Sequence, residues 1–158
     1  GQKVRSRITG SDIANYLCEF FRLQLSTHSV TLVATPKFQA FSVTEFPSRL
    51  YPVFINLVNN SIYWTSNAKS GGRTITLDVI DDEVIISDTG PGVDVEDVNE
   101  LFTLFFTRKA HGGRGVGLYL TRANLISGGH RIRYVEDSGK MPHDGANFAI
   151  KFQGAEFG

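Results

Sequence analysis

Residues 50–64 read Leu-Tyr-Pro-Val-Phe-Ile-Asn-Leu-Val-Asn-Asn-Ser-Ile-Tyr-Trp. Leu50, Val53, Phe54, Leu57, Val58, Ser61 and Ile62 lie at offsets of three, four, seven, eight, eleven and twelve from the first of them, the spacing of a broad buried helix face. Pro52 falls in the expected first turns, where a missing N–H does least harm, so the helix is predicted to start between Ser48 and Pro52. Asn56 and Asn60, four residues apart, share another face, and Tyr63 continues that stripe. Asparagine is a poor helix former. Asn56, Asn59 and Asn60 within one helix carry a propensity cost with no local return, which marks this face for a function.

Working outward, Ile13, Leu17, Phe20, Phe21 and Leu25 recur at helical spacing and predict a helix over 11–26, with Ser11 or Asp12 as its cap. Val30–Ala34 and Phe38–Val43 are short and rich in β-formers, so they read as two strands with a turn at Pro36 between them. Downstream, Ile75, Leu77 and Val79 alternate with polar neighbours, Asp81 and Asp82 form a turn, and 84–87 return as a second strand. A short helix is predicted over 94–101, an irregular aromatic and basic loop over 102–114, and a helix over 116–126 closed by Gly128 and Gly129. Two further strands, 132–136 and 146–152, complete an α+β two-layer sandwich with helices on one face of a mixed sheet.

With 158 residues and no internal repeat, the chain is expected to be one domain spanning 1–158 and excised from a larger protein. Lys plus Arg and Asp plus Glu are 16 each, which favours neither nucleic acid nor a membrane surface as partner; any anion site must be local. No apolar run reaches the roughly 20 residues needed to cross a bilayer, and a cytoplasmic location is expected. The single cysteine, Cys18, lies in a stretch patterned as a buried helix and is expected to be core filler.

Three segments carry chemistry. Asp88-Thr89-Gly90-Pro91-Gly92 follows a strand directly. Its glycines allow close backbone approach to a flat ligand, and its carboxylate can accept a hydrogen bond from an amine such as that of adenine. Gly112-Gly113-Arg114-Gly115-Val116-Gly117-Leu118 opens a helix, where crowded N–H groups and the helix dipole suit phosphate. It has no preceding strand and no closing Lys-Ser/Thr, so it is neither a Rossmann fingerprint nor a Walker A loop. Between them, 101–109 (Leu-Phe-Thr-Leu-Phe-Phe-Thr-Arg-Lys) could cover a nucleotide, its rings anchoring the loop and Arg108 or Lys109 meeting phosphate charge. At least one of Phe102 and Phe105 is expected to be a plain core anchor.

In order and spacing, Asn56 to Ser61, Asp88 to Gly92, 101–109 and Gly113 to Leu118 resemble the N, G1, F and G2 boxes of the histidine-kinase ATP-binding domain. This resemblance implies a Bergerat-type fold with an ATP lid, and ATP and Mg²⁺ as cofactors. It further implies that Asn60 coordinates Mg²⁺, Asp88 reads the adenine amine, Gly90 and Gly92 shape that pocket, and Trp64 stands where a tyrosine often stacks on the base. Phe105 belongs to the box that covers the nucleotide. Gly113, Arg114, Gly115, Val116, Gly117 and Leu118 are placed at the lid and phosphates. The implied partners are a histidine phosphoacceptor/dimerisation domain and, downstream, a response regulator.

Two departures from the pattern are visible. Tyr63 occupies a position that commonly holds lysine, so phosphate-facing charge must come from Lys109, Arg108 or Arg114. The last glycine box appears only as Gly145-Ala146-Asn147-Phe148, without its usual threonine. Hydrolytic members of the wider superfamily carry a glutamate four residues before the metal asparagine, and here that residue is Asn56. A neutral amide cannot take a proton from water, so transfer to a separately supplied histidine is the expected chemistry, with Asn56, Lys109 and Arg108 at the reacting end. Only His143 of the four histidines precedes an acid; it is expected at the surface, and the acceptor is expected to lie outside this chain. An ATP-switched binding module, or an ATPase without histidine kinase activity, stays open as the alternative.

Overall fold

The computed structural model describes residues 4–68, 72–109 and 116–158. In chain order the elements are β1 (Ser6–Thr9), α1 (Gly10–Phe20), α2 (Arg22–Thr27), β2 (Thr31–Ala34), α3 (Pro36–Ala40), β3 (Phe41–Glu45) and α4 (Pro47–Ser66). They continue with β4 (Thr74–Ile80), β5 (Glu83–Asp88), a 3₁₀ turn at Val95–Glu100, α5 (Gly117–Ser127), β6 (Arg131–Tyr134), β7 (Asn147–Lys151) and β8 (Glu156–Phe157). The main sheet runs β2-β4-β5-β7-β6, with β2 parallel to β4 and the other pairs antiparallel, so it is mixed as expected. A small antiparallel sheet, β1-β3-β8, stands apart from it.

One apolar core fills the space between the main sheet and the helices. Ile13 and Leu17 of α1, Val53, Phe54, Leu57 and Val58 of α4, and Leu125 of α5 meet Ile75, Leu77, Val84, Ile86, Phe148 and Ile150 from alternate positions of the strands. The β4–β5 hairpin turns at Asp81 and Asp82, both with positive φ (51° and 61°), the two-residue geometry whose twist matches the flanking strands. Removing a ring as central as that of Phe54 would cost about 3–5 kcal/mol.

Several expectations are corrected. The helix predicted over 11–26 is broken at Phe21 into α1 and α2, and its cap is Thr9: the Thr9 hydroxyl accepts the Asp12 amide (3.1 Å) while Asp12 accepts the Thr9 amide (3.2 Å). Phe20 is 48% exposed and stacks on Tyr16 at the surface. Cys18 is exposed rather than core filler, because the buried line runs through Ile13, Leu17 and Phe21 and its neighbour lies a further 100° or so around the helix. The strand predicted at 38–43 starts only at Phe41. Thr35 and Pro36 are the cap and first residue of α3, with the Thr35 hydroxyl accepting the Phe38 amide (3.2 Å), so Pro36 opens a helical turn. β2 and β3 consequently belong to different sheets. Helix α4 begins at Pro47, earlier than predicted, and carries Pro52 inside it.

A buried polar knot locks the start of α4 to the end of α5. Glu45 (1% exposed) accepts the Phe46 amide at 2.8 Å, faces Arg49 at 3.4 Å, and bonds His130 Nε2 at 2.7 Å. His130 Nδ1 accepts the Gln153 amide (2.9 Å), which leaves Nε2 to carry the proton and donate it to Glu45. Burial by itself would raise the Glu45 carboxyl, but the imidazole, the Phe46 amide and Arg49 together hold it below its ordinary value. Arg49 also donates to the Asn124 carbonyl, and Asn124 returns a bond to the Arg49 carbonyl, both at 2.8 Å. Because the folded value is depressed, this contribution is present above the unfolded glutamate pKa and is lost as pH falls through the folded one. His130→Leu is expected to cost toward the lower end of about 3–5 kcal/mol, since Arg49 remains. Glu45→Gln is expected to flatten the acid limb of stability; urea unfolding at pH 7 and at pH 4 measures both.

Candidate functional site

The cleft lies between α4, the loop after β5, the segment 101–109 and the start of α5, and has a volume of about 530 Å³, within the roughly 300–1,000 Å³ of small-molecule sites. Asn56, Asn59, Asn60 and Trp64 form one wall, Gly92, Val93 and Ala146 the base end, and Phe106 to Lys109 with Val116, Gly117 and Leu118 the cover. The three helix asparagines therefore do face one cavity. Asn56 Nδ2 donates to the Thr121 hydroxyl at 3.3 Å, which ties α4 to α5 at the cleft. A second concavity of about 470 Å³ lies beside Ile85, Arg133 and Met141 and includes no residue of the four motifs.

Asp88 sits beneath the base end, 1% exposed. Its Oδ1 accepts the Gly90 amide (2.9 Å) and the Ala146 amide (3.0 Å), and its main-chain carbonyl accepts the Gly145 amide (2.9 Å). Burial pushes the carboxyl above its ordinary value, only partly offset by those two amides and by the Ser61 hydroxyl beside it. Oδ2 is buried and has no hydrogen bond of good geometry among the described residues. Asp88 does not itself line the cleft: Ala146, which does, is bonded to it, and Oδ2 is buried behind that end. Gly92 adopts φ +78°, a left-handed conformation that favours glycine.

On the lid side the residues divide. Phe105 is 71% exposed with φ +68° and does not line the cleft; Phe106 lines it instead. Phe102 is the core anchor, edge-on to Phe148 with centroids 6.1 Å apart. Arg108 is taken up by Asp97 through two bonds, Nε to Oδ2 at 3.1 Å and Nη2 to Oδ1 at 2.9 Å. That pairing holds the Asp97 carboxyl below its ordinary value, so Arg108 meets an acid rather than open space for phosphate. Lys109 lines the cleft with its ammonium 5.0 Å from the Tyr63 ring centroid, and burial lowers its pKa. Gly113, Arg114 and Gly115, assigned to the phosphates by resemblance, lie outside the described residues, as does His111.

Three contributors were not anticipated. Asp97 left no signal, because its partner lies eleven residues away across an irregular loop. Ser61 was counted only as part of the apolar face. His143, expected at the surface, is half-buried against the outer face of the sheet: Nε2 meets the Thr76 hydroxyl at 2.8 Å, and its carbonyl accepts Asn147 Nδ2 at 3.0 Å. It thereby steadies the Gly145–Ala146 turn that reaches Asp88. Among the described residues no three His, Cys, Asp or Glu side chains gather as a metal site, and a magnesium ion, which keeps several waters and takes ligands from phosphates, would need only a hard oxygen such as that of Asn60.

Helices on one face of a mixed sheet, with a polar helix wall, a buried strand-end aspartate and a lid around one cleft, define an ATPase-type nucleotide-binding domain. The family described as histidine kinase-, DNA gyrase B- and HSP90-like ATPase matches residues 45–156, and the chain belongs to it. It is 36% identical over 93 residues to the sensor protein kinase PilS of Pseudomonas aeruginosa, covering 56% of this chain and 17% of that protein. It is 32% identical over 111 residues to the signal transduction histidine-protein kinase BarA of Escherichia coli K12, covering 65% and 12%. The chain thus spans less than a fifth of the length of these relatives. In structure it is similar to the catalytic domain of histidine kinase ThkA (TM-score 0.70, 22% identity, 92% of each chain) and to full-length ShkA in complex with AMPPNP (TM-score 0.71, 18% identity, 95% and 31%).

The base end is closely packed at Gly145, where a Cβ would stand 2.2 Å from the Asp88 carbonyl oxygen, 2.5 Å from Oδ1 and 2.7 Å from the Gly90 amide. Gly145→Ala is expected to cost about 1–3 kcal/mol. At Gly72 a Cβ meets nothing within 4 Å, and Gly72→Ala is expected to stay within about 0.5 kcal/mol of the parent. Thermal melts of the two variants compare them directly.

Proposed function

We propose that the chain is the Mg-ATP-binding catalytic domain of a sensor histidine kinase, one domain of a longer protein. It supplies the γ-phosphoryl group to a histidine on a separate dimerisation domain, with a response regulator downstream. The observation that carries this reading is the amide pair on α4: Asn60 offers the cleft a neutral oxygen suited to a hard cation, and Asn56 stands one turn earlier where a base would be needed for hydrolysis.

The placement of the chain's own atoms supports this reading. Asp88 Oδ2 accepts the adenine amine, and Trp64 and Val93 enclose the base. Asn60 would hold the metal, which would supply positive charge against the phosphates. Lys109 is the lid cation that meets the phosphates, because Arg108 is engaged by Asp97. Gly117 opens α5 with space beside it, so the helix's first amides can approach an anion. Asn56 spends its N–H on Thr121 and has no proton affinity to offer water. Of the carboxylates lining the cleft, Asp94 and Asp97 belong to the segment after β5, and Asp97 is held by Arg108. Catalysis on this reading is positioning and charge stabilisation.

The chain is expected to bind Mg-ATP with a Kd between roughly 1 μM and 1 mM, and Asn60→Ala to weaken that binding by about tenfold or more in magnesium while leaving the melt unchanged. With γ-labelled ATP, the label is expected on a phosphoacceptor domain added in trans and absent from the chain itself. Label on the chain, or unchanged calorimetric affinity for Asn60→Ala, would falsify the corresponding assignment.

A further inference from the structure

Lys109 lines the cleft, and Tyr63 stands on α4 beside the asparagine wall without itself lining the cavity. Tyr63 is half-buried on α4, next to Trp64, whose ring it meets edge-on at 5.0 Å and 87°. Lys109 belongs to the lid segment, and its ammonium lies 5.0 Å from the Tyr63 ring centroid, beside the wall that carries Asn59 and Asn60. Its neighbour Arg108 is engaged elsewhere, by Asp97. Among the described residues no carboxylate pairs with the Lys109 ammonium. The two contacts differ in what they leave behind. An ion pair such as Arg108–Asp97 cancels the charge, whereas the face of a ring attracts a cation without neutralising it.

We infer that Tyr63 is a positioning residue: its ring holds the Lys109 ammonium over the asparagine wall with its full charge available to the nucleotide phosphates. This rests on the nucleotide reading above and deepens it. The phosphate-facing cation then rides on the lid rather than on α4, so phosphate affinity and the location of the lid segment depend on one another, and each must favour the other by the same factor. An aromatic at position 63 takes the place of a fixed positive charge by guiding a mobile one.

The test is calorimetry of the whole chain in magnesium, with ATP and with adenosine, on the parent, Lys109→Met, Tyr63→Leu, Tyr63→Phe and the Leu/Met double variant. Lys109→Met and Tyr63→Leu are each expected to weaken ATP by roughly fivefold, the order of an exposed or half-buried cation–ring contact, and to leave adenosine unchanged. Tyr63→Phe keeps the ring and is expected to bind ATP like the parent, and the double variant to bind no more weakly than Lys109→Met, since the two act as one unit. Tyr63→Met replaces Tyr63→Leu if the latter unfolds. ATP affinity unmoved by Tyr63→Leu, an equal loss for adenosine, or additive losses in the double variant overturns the positioning role while the nucleotide reading stands. A parent chain that binds neither adenosine nor ATP overturns both.

Discussion

The arrangement of the cleft depends on one buried carboxylate. Asp88 ends β5, and its Oδ1 accepts amides from both sides, Gly90 in its own loop and Ala146 in the turn before β7. Two stretches separated by more than fifty residues in sequence are thereby fastened at a single atom. Hydrogen bonds to an ionised acceptor are roughly twice as strong as neutral ones, yet desolvation still prevails and the carboxyl titrates above its ordinary value. Its second oxygen is buried behind the cleft's base end, with the Ser61 hydroxyl beside the carboxyl. Gly145 follows from the same constraint, because any side chain there would occupy the space of the Asp88 carboxyl group and the Gly90 amide.

Charge in the lid segment is distributed just as economically. The chain has no net charge, so attraction for a polyanionic ligand must be assembled locally from few groups. Arg108 serves architecture, pinning the loop to the 3₁₀ turn through Asp97, and its guanidinium also lies 5.0 Å from the Phe106 ring centroid. Lys109 is left as the cleft's available cation among the described residues. Phe102 and Leu101 root the near end of the segment in the core, while Phe105 faces solvent. The described cover is therefore held at Leu101 and Phe102 by the core and at Arg108 by Asp97, with Phe105 between them turned outward.

How much of this was legible in the sequence follows from the range of each interaction. Helix α4, the β4–β5 hairpin and the closure of α5 are governed by neighbours within a few residues, and apolar spacing or turn chemistry announces them. β1 and β8 carry too few residues for a period to show, and they exist because β3 offers both its edges. Pro36 misled because a proline after threonine opens a helix as readily as it makes a turn. At the site, the asparagine wall was readable from helical geometry alone. The separation of Arg108 from Lys109, and of Phe105 from Phe106, was not: adjacent residues of like chemistry differ only in which way an irregular backbone sends them, and that is set by Asp97 and the φ of Phe105.

The two asparagines on α4 bound the chemistry such a cleft can perform. An amide at position 56 donates to the Thr121 hydroxyl across the helix–helix contact, and that bond orients the side chain. Its oxygen nevertheless has no useful basicity near neutral pH, so it can align a neighbouring group but cannot remove its proton. A carboxylate there would add a buried negative charge beside Asn60, drawing a divalent cation more strongly but repelling phosphate oxygens. With amides at both positions, the α4 wall is electrostatically neutral, and cations from the lid and the nucleotide's own metal decide where phosphate charge settles. On the proposed reading the nucleophile must then arrive already competent, from outside the wall, and the domain's contribution is the geometry of its arrival.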